Sequence, residues 1–360
     1  MSLFGTAVPI SLFGESHGDI MGLTIHHLAS NITLDLDKIS AALSQRKAKH
    51  WYHTTRREAD TFEIVSGFFN GKTTGAPLTI LMKNTAMNTS EYTPYHVRPN
   101  HADYPAYMRS HGAYDYRGGG HFSGRLTALL VVLGSIASQL LASKKILVAS
   151  HIKQLHTVKL NNVSVNKETL DDLNDALLPV LDKDLVPQYE AILKQAIEAN
   201  DSVGGIVQTL VFNLDVGLGE PFFDKLDALI AHLILALPGT KGIQFGDGFD
   251  CVNQMGSSIS DTMRYQDGNI VFDTNHMGGV LGGLSTGNTL IFDTVIKPTP
   301  SIAMPLDTIN LQSKTNVTQT LNGRHDPSIV PRMVPVINAI TTYALLELTV
   351  RKDGWSWIKS

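Results

Sequence analysis

An uncharged run from Leu126 to Ser143 restricts the fold of this chain more than any other segment. The run approaches the length of a membrane-spanning helix, but five glycine, serine or glutamine residues interrupt its apolar character. They are Gly134, Ser135, Ser138, Gln139 and Ser143. The run also follows directly on a polar, glycine-rich stretch, which favours a helix buried in a protein core. With 360 residues, the chain is long enough to build a core around such a helix.

Strand-like and helix-like patterns alternate along the rest of the chain. β-branched or alternating apolar residues predict strands within 9–13, 22–28, 61–82, 203–215 and 242–296. Helical spacing predicts helices within 35–47, 125–144, 223–237 and about 334–351, and two more within 165–200. Thr169 and Asp201 are plausible boundaries of the last two. Because no linker or repeat separates these elements, we predict one α+β (mixed α/β) domain over residues 1–360.

Composition and charge exclude several classes of protein. The formal net charge of −4 gives no global reason to expect nucleic acid or an anionic membrane as a partner. Cys251 is the single cysteine, which excludes an internal disulfide and a thiolate metal cluster and fits a reducing compartment. The first eighteen residues have no basic region and no small-residue cleavage site, so we expect no signal peptide.

The stretch GESHG, residues 14–18, matches the G-x-S-x-G pattern of a hydrolase nucleophile elbow, with Ser16 as the nucleophile. Such an elbow needs a helix after it and an oxyanion loop from earlier in the chain. Only thirteen residues precede GESHG, and the residues after it read as a strand. A glycine-bounded tight turn accounts for the glycines but leaves the Ser16–His17 pair unexplained.

Histidine and arginine crowd the irregular segment from His96 to Arg125. The segment holds four Arg, four His, two Asp and no Lys. Arginine binds carboxylate and phosphate through a planar fork of donors, and histidine can carry a proton near neutral pH. Its last part, RGGGHFSGR, leads into the predicted helix, whose first N–H groups favour an anion. The alternative interpretation is a solvated polar loop.

Two further motifs allow more than one interpretation. In RHDP (324–327) Asp326 could be the N-cap of the last helix or a functional carboxylate. The stretch 278–288, GGVLGGLSTGN, could let a flat ligand approach the backbone closely, or form simple turns. Neither glycine-rich stretch has the spacing of a phosphate-binding P-loop, no dinucleotide fingerprint follows a clear strand, and the histidine spacing indicates no metal.

Seven motifs in order give the chain a resemblance to the chorismate synthase family. They are GESHG, RPNHAD, RGGGHFSGR, GDGFD, GGVLGGLSTG, KPTPS and GRHDP, within about Leu12 to Glu347. The resemblance implies a β-α-β sandwich core, a cytoplasmic homotetramer and a lyase of the shikimate pathway. The implied reaction is 1,4-anti elimination of phosphate and a proton from 5-enolpyruvylshikimate 3-phosphate, with reduced FMN as cofactor. Some members also reduce the flavin with NADPH; here we expect a monofunctional enzyme, with no nucleic acid or membrane partner.

The resemblance also implies residue roles. His17 would protonate the departing phosphate beside Ser16 as a hydrogen-bonding neighbour, His101 would manage a proton on the reduced flavin, and Asp326 would help to remove the ring proton. Arg46, Arg125 and Arg324 would line the anionic ligands, with Arg98 beside them. The positions implied to contact FMN are His121, Phe122, Ser123, Pro238, Gly239, Gly282, Lys297, Pro298, Thr299, Pro300, Ser301 and Arg324.

This sequence departs from the family pattern at several of these positions. Where many members have GGGRSSARE, this chain has GGGHFSGRL, with His121, Phe122, Gly124 and Leu126 changed. Asn100 replaces the glycine of the RPGHAD motif, and asparagine tolerates a left-handed backbone better than most residues. Pro238-Gly239 stand where many members have Asn-Ala. These changes leave open a second hypothesis, a flavin- or anion-binding protein without catalysis.

Overall fold

The structure of the protein is a computed structural model. Two antiparallel sheets of five strands each form its outer layers. The structure describes residues 2–54, 58–87, 92–161, 173, 176, 178–321 and 326–358. Six α-helices accompany the sheets in these ranges.

The first sheet is built from the N-terminal quarter of the chain in the order β1-β2-β3-β7-β4. Its strands are β1 (Leu3–Phe4), β2 (Ile10–Gly14), β3 (Ile20–Ile25), β4 (Phe62–Ser66) and β7 (Leu78–Lys83). A short hairpin of β5 (Phe68–Phe69) and β6 (Lys72–Thr73) lies between β4 and β7. In β3 and β7, alternate apolar residues are buried, and Leu23 pairs with Ile80 on the core side.

The second sheet has the order β11-β16-β10-β8-β9. Its strands are β8 (Leu147–Leu155), β9 (Val158–Lys159), β10 (Gly205–Phe212), β11 (Thr240–Phe245) and β16 (Leu290–Ile296). Three hairpins stand apart from the sheets. They are β12 (Met263–Gln266) with β13 (Asn269–Phe272), β14 (Val280–Leu281) with β15 (Leu284–Ser285), and β17 (Leu306–Asn310) with β18 (Thr315–Gln319).

The helices are α1 (Leu36–Arg46), α2 (Asp103–Arg109), α3 (Thr127–Leu140), α4 (Val186–Glu198), α5 (Leu226–Leu235) and α6 (Val330–Asp353). Helix α1 begins where Asp35 accepts hydrogen bonds from the N–H groups of Asp37 and Lys38. Helices α3 and α6 pack against each other, and a Cβ on Gly134 would lie 2.3 Å from Cα of Ala339. Only glycine allows this close approach of the two helix backbones.

One cluster of buried apolar residues joins the two sheets and the helices between them. It includes Leu23 and Ile80 of the first sheet, Val132 of α3, Ile337 of α6 and Phe292 of the second sheet. The spans Gly124–Lys144 and Val330–Asp353 are long and apolar enough to cross a membrane. In each span, however, most of the 18-residue apolar window is buried inside the protein, 72% in the first and 89% in the second. The prediction of a buried helix over the run from Leu126 is therefore confirmed.

Most predicted elements are present, but α2 and the strands β1, β8, β9, β17 and β18 were not predicted. The α+β class is confirmed, and the helix predicted within 223–237 is α5. The segment from His96 to Arg125 was predicted to be irregular, but α2 lies inside it. The helix has only about two turns, and its two Tyr and one Pro give little helical periodicity. Of the two helices predicted within 165–200, α4 is the second, whereas Thr169 and most of the first lie outside the described residues.

Candidate active site

A cavity of about 1010 Å³ opens between the first sheet, the start of α3, the end of α5 with the segment after it, and the start of α6 with the segment before it. Its volume lies at the upper end for a small-molecule site, so it can hold two ligands side by side. His101, Arg125 and Asp326 line it, although they are far apart in sequence. The fold thus gathers predicted residues from both ends of the chain.

GESHG is the turn of the β2–β3 hairpin and not an elbow between a strand and a helix. Ser16 and His17 are buried, with 0% and 4% of their surfaces exposed. The N–H of Ser16 donates to the carbonyl of Gly120 at 3.0 Å, and Nδ1 of His17 lies 3.3 Å from Oγ of Ser16. The pair is therefore fixed against the RGGG segment of the cavity wall, and the hydrolase elbow lacks its helix.

Three consecutive glycines, Gly118 to Gly120, hold this wall together with φ angles of 58°, 85° and 53°. A Cβ on Gly118 would lie 2.2 Å from Cε1 of His17, and one on Gly119 would lie 2.9 Å from Nε2 of His101. The left-handed backbone and the missing side chains let both imidazoles approach the same short segment. The two predicted acid–base histidines therefore lie against neighbouring residues.

His101 is held by an arginine–aspartate pair. Arg98 donates from Nε and Nη2 to the two oxygens of Asp103, each at 2.7 Å, and Asp103 also lies 2.8 Å from Nδ1 of His101. Burial acts to raise the pKa of the Asp103 carboxyl, but hydrogen bonds from Arg98 and His101 hold it well below its usual range. The guanidinium fork of Arg98, predicted to face the cofactor, is thus occupied by Asp103.

Arg125 is fixed on two sides. Its Nε donates to Oδ1 of Asn84 at 3.0 Å, and its Nη1 pairs with Asp60. Its Nη2 is buried and has no hydrogen-bond partner among the described residues. Because an unpaired buried donor is costly, a bound anion fits this position of the cavity wall.

Arg46, at the end of α1, lies beside the start of α3. Its Nε donates to Oγ1 of Thr127 at 2.9 Å and its Nη2 to the carbonyl of Gly124 at 2.7 Å. Burial, followed by the neighbouring charge of Arg332, lowers the pKa of Arg46 to about 9. Arg324, the third arginine predicted here, lies outside the described residues.

Asp326 does not cap the last helix, whose N-cap residue is Ile329. Its Oδ1 instead accepts from the N–H of Thr54 and its Oδ2 from Nη1 of Arg332, each at 2.7 Å. Arg332 lies six residues later, in α6, so the Asp326 carboxylate is paired to the helix that follows it. Asp326 also lines the cavity. The N-cap interpretation is wrong, and the functional one stays a prediction.

Most residues predicted to contact the cofactor line this cavity. They are Arg98, His121, Phe122, Ser123, Pro238, Gly239, Lys297, Thr299, Pro300 and Ser301. Gly282 and Pro298 are not among its described lining residues, and Gly282 forms the turn between β14 and β15. Nζ of Lys297 donates to the carbonyl of Asn100 at 2.5 Å, and Asn100 has the left-handed φ of 59° that the sequence predicted it could adopt.

The residues present fit a flat, phosphate-bearing cofactor such as FMN. Phe122, Leu130, Ile329 and Met333 give the cavity apolar surface. Nη2 of Arg125, which has no acceptor among the residues that the structure describes, supplies a donor for an anion. His121, which replaces a family arginine, is fixed in the wall between Oγ of Ser2 at 2.5 Å and the carbonyl of Gly14 at 2.8 Å. Within the described ranges, no group of three or more His, Cys, Asp or Glu could hold a metal ion.

Sequence reasoning missed four residues that position the predicted ones. Asn84, Asp60, Asp103 and Arg332 are the direct hydrogen-bond partners of Arg125, His101 or Asp326. Asp103 follows His101 by two residues, so the sequence alone could have indicated it as a partner of His101. The other three are brought in only by the tertiary fold.

Comparison with known proteins gives a consistent result. A sequence model of chorismate synthase matches residues 8–350. The chain is 40% identical over 352 residues to a chorismate synthase of Dehalococcoides mccartyi, covering 96% of each protein. It is 37% identical over 356 residues to one of Thermococcus kodakarensis, covering 98% of each. A crystal structure of chorismate synthase has the same fold, with a TM-score of 0.78 at 21% identity over 98% of this chain and 94% of that one.

Proposed function

This chain belongs to the chorismate synthase family, and we propose how its residues carry out the reaction of that family. The enzyme is a lyase that converts 5-enolpyruvylshikimate 3-phosphate to chorismate and phosphate by 1,4-anti elimination, the last common step of the shikimate pathway. The substrate carries two carboxylates and a phosphate, so its site needs several fixed cations and a proton donor.

Arginines supply the cations for substrate binding. Arg125 and Arg46 bind the acidic groups of the substrate, and Arg324 joins them. Nη2 of Arg125 is buried and finds no acceptor in the described part of the chain, which supports this role, because a carboxylate or phosphate oxygen would satisfy it. The partners Asn84 and Asp60 fix the guanidinium before the ligand arrives, which reduces the entropy lost on binding.

Two imidazoles and one carboxylate move the protons. His17 protonates the departing phosphate, with Ser16 as its hydrogen-bonding neighbour. His101 exchanges a proton through Nε2, the nitrogen that lies against Gly119. Asp326 takes part in removing the ring proton at a carboxylate oxygen. General acid–base catalysis of this kind contributes about 100-fold or more.

Reduced FMN is the proposed cofactor. It supplies an electron-rich ring that assists loss of the phosphate without net oxidation or reduction of the substrate. Its proposed contacts are Arg98, Arg324, His121, Phe122, Ser123, Pro238, Gly239, Gly282 and Lys297 to Ser301. The cavity position of most of these residues supports the assignment, whereas Gly282 and Pro298 lack that support. We expect no NADPH-dependent flavin reductase activity.

The single observation that carries this proposal is the convergence of His101, Asp326 and Arg125 on one cavity whose glycine wall also touches His17. The test is an anaerobic assay with photoreduced FMN and 5-enolpyruvylshikimate 3-phosphate, in which chorismate is measured directly. His17→Ala and His101→Ala should each lower turnover at least ~100-fold. Folded wild-type protein that forms no chorismate would contradict the proposal.

Binding without turnover would support the rival hypothesis of a flavin- or anion-binding protein. Isothermal titration of the wild type with the substrate and with reduced FMN, run beside the turnover assay, separates the two hypotheses. Labelling by a fluorophosphonate that Ser16→Ala abolishes would instead indicate a serine hydrolase.

The assembly and location remain proposals of the same kind. We propose one catalytic domain over residues 1–360, supported by the buried cluster that joins both sheets. We also propose a cytoplasmic homotetramer without nucleic acid or membrane partners. Exposed apolar residues on and near the β12–β13 hairpin, among them Phe249, Met255 and Tyr265, offer surface for subunit contacts. Light scattering on a size-exclusion column measures the mass.

A further inference from the structure

Asp103, next to the cavity-lining His101, is a densely bonded carboxylate. It is 3% exposed and accepts four hydrogen bonds. Oδ2 accepts from the N–H of Arg98 at 3.0 Å and from Nε of Arg98 at 2.7 Å, and Oδ1 accepts from Nη2 of Arg98 at 2.7 Å. The fourth bond joins Oδ1 to Nδ1 of His101 at 2.8 Å. Arg98 therefore fixes the carboxylate, and the carboxylate in turn fixes the imidazole.

The direction of the fourth hydrogen bond follows from chemistry. An ionised carboxylate can only accept, so Nδ1 of His101 must be the donor. Nη2 of Arg98 lies 3.2 Å from the same Nδ1, but this group can only donate and cannot compete for that proton. In the neutral imidazole the proton is then on Nδ1, and Nε2 has a free lone pair.

The position of that lone pair matters for the proposed acid–base role of His101. Nε2 and Cε1 lie next to Gly119, where a Cβ would be only 2.9 Å away, and the imidazole lines the cavity. His101 lines the cavity and its Nδ1 is held by Asp103, so Nε2 is the nitrogen left able to accept a proton.

We propose that Asp103 is a positioning residue that sets the tautomer and orientation of His101, so that Nε2 and not Nδ1 exchanges the proton at the cavity wall. The inference rests on the proposed role of His101. It adds a second carboxylate to the chemistry of the site, one that acts through an imidazole and does not contact the substrate.

Asp103→Asn tests the proposal because the amide has an oxygen at one position of the carboxylate and an NH₂ group at the other. Oδ2 receives two of the bonds from Arg98, so the amide oxygen should stay there and the NH₂ group should face Nδ1 of His101. Nδ1 must then accept, which moves the imidazole proton to Nε2. The variant should lower kcat about 100-fold with little change in KM, as expected for a group needed in the transition state.

The decisive measurement is ¹⁵N NMR of histidine-labelled protein without substrate or cofactor, at a pH where the imidazole is neutral. His101→Gln identifies the His101 signals. We expect protonated Nδ1 and unprotonated Nε2 in the wild type, and the reverse in Asp103→Asn. Wild-type His101 with its proton on Nε2 would overturn the proposal, even if the variant fails to fold.

Asp115→Asn is the matched control. Asp115 is chelated by Arg117 in the same way, with Nε and Nη2 donating to its two oxygens at 2.8 and 2.9 Å. It makes no hydrogen bond to His101, so the His101 nitrogen signals should not change. An equal change in both variants would overturn the assignment. Because these measurements need no turnover, their failure is distinguishable from failure of wild-type chorismate formation, which tests the proposed function.

Discussion

Asn84 and Arg125 are joined by a hydrogen bond of 3.0 Å from Nε of the arginine to Oδ1 of the amide. Nδ2 of the same Asn84 donates to the carbonyls of Glu15 at 3.1 Å and Gly18 at 2.6 Å, on either side of Ser16 and His17. One buried amide therefore links the turn that carries the proposed acid to the arginine that faces the ligands.

Asn84→Ala should disturb both ends of this link. Three hydrogen bonds are lost. Nε of Arg125 and the carbonyl of Gly18 lose this partner, whereas Arg125 keeps Asp60 and the carbonyl of Glu15 keeps the N–H of Gly18. The free energy of unfolding should therefore fall by about 2 kcal/mol. Small displacements of His17 and Arg125 should lower kcat/KM by about 100-fold. Urea unfolding and steady-state assays measure the two effects. Thr79→Val is the control. It removes the hydrogen bond between the hydroxyls of Thr79 and Thr24, and Thr79 lies in β7, the strand that Asn84 follows. Equal kcat/KM in both variants would contradict the linking role of Asn84.

Gly118→Ala tests how closely the glycine wall fits His17. The φ angle of 58° strains any residue with a Cβ, and that Cβ would lie 2.2 Å from the imidazole. We expect displacement of His17 and a loss of turnover of about 100-fold. In Gly124→Ala, from the same loop, the new Cβ meets no heavy atom within 4 Å. A Gly118→Ala variant that turns over as fast as Gly124→Ala would show that the wall can yield.

The elements of the fold were largely predictable because their patterns are local. Asp35 caps α1 as its position before Ile39 suggests, and the apolar repeat around Val132 gives α3. Helix α2 was missed because seven residues with Tyr and Pro carry almost no periodicity. The order of strands in each sheet was not predictable, since it depends on pairings between segments far apart in sequence.

In the site, too, residues within local motifs were predicted, and residues that tertiary packing brings in were not. His17, His101 and Asp326 were predicted from motifs and from the family resemblance, which implies their roles. Their supports were not identified, because Asn84 and Arg332 reach the site from a strand end and a helix that only tertiary packing brings there. The sequence likewise could not show that Asp326 bonds to the N–H of Thr54, 272 residues away, instead of capping a helix.

His53 should make stability depend on pH. Burial is the main cause that lowers its pKa to about 4, with Asp326 opposing and Arg332 and His50 adding to the effect. Nδ1 of His53 accepts from the N–H groups of Lys49 and His50, so a proton at Nδ1 would face two donors. The unfolded chain binds this proton below about pH 6.5 and the folded protein only near pH 4, so stability decreases as the pH falls through that window.

The expected contribution is up to about 3 kcal/mol of unfolding free energy between pH 7 and pH 4. Urea unfolding of the wild type and of His53→Asn across this range isolates it, because Oδ1 of asparagine can replace Nδ1 as an acceptor and does not titrate. All other titrating groups are common to both proteins. Parallel pH curves for the two proteins would show that His53 does not contribute.

Glu347 should contribute more to stability than any surface charge, although it lies outside the site. Its carboxylate is fully buried in α6 and accepts from the N–H groups of Thr6, Ala7 and Val8 at 2.7 to 3.0 Å and from Nε of Arg351 at 2.8 Å. Burial acts to raise the pKa of Glu347, but these hydrogen bonds lower it, so the stabilisation is present at neutral pH and lost as the pH falls.

Glu347→Gln places an NH₂ group where Oε2 accepts from the N–H of Val8 and removes the buried negative charge that pairs with Arg351. The free energy of unfolding should fall by about 3 kcal/mol at pH 7, as expected when one partner of a buried pair is removed. Thr349→Val, which removes a hydroxyl bonded to the carbonyl of Leu345 on the same helix, should cost no more than about 1 kcal/mol. Because residues 6–8 lead into β2 and its GESHG turn, Glu347→Gln should also lower the temperature at which activity is lost. Equal unfolding midpoints for the two variants would refute this anchoring role.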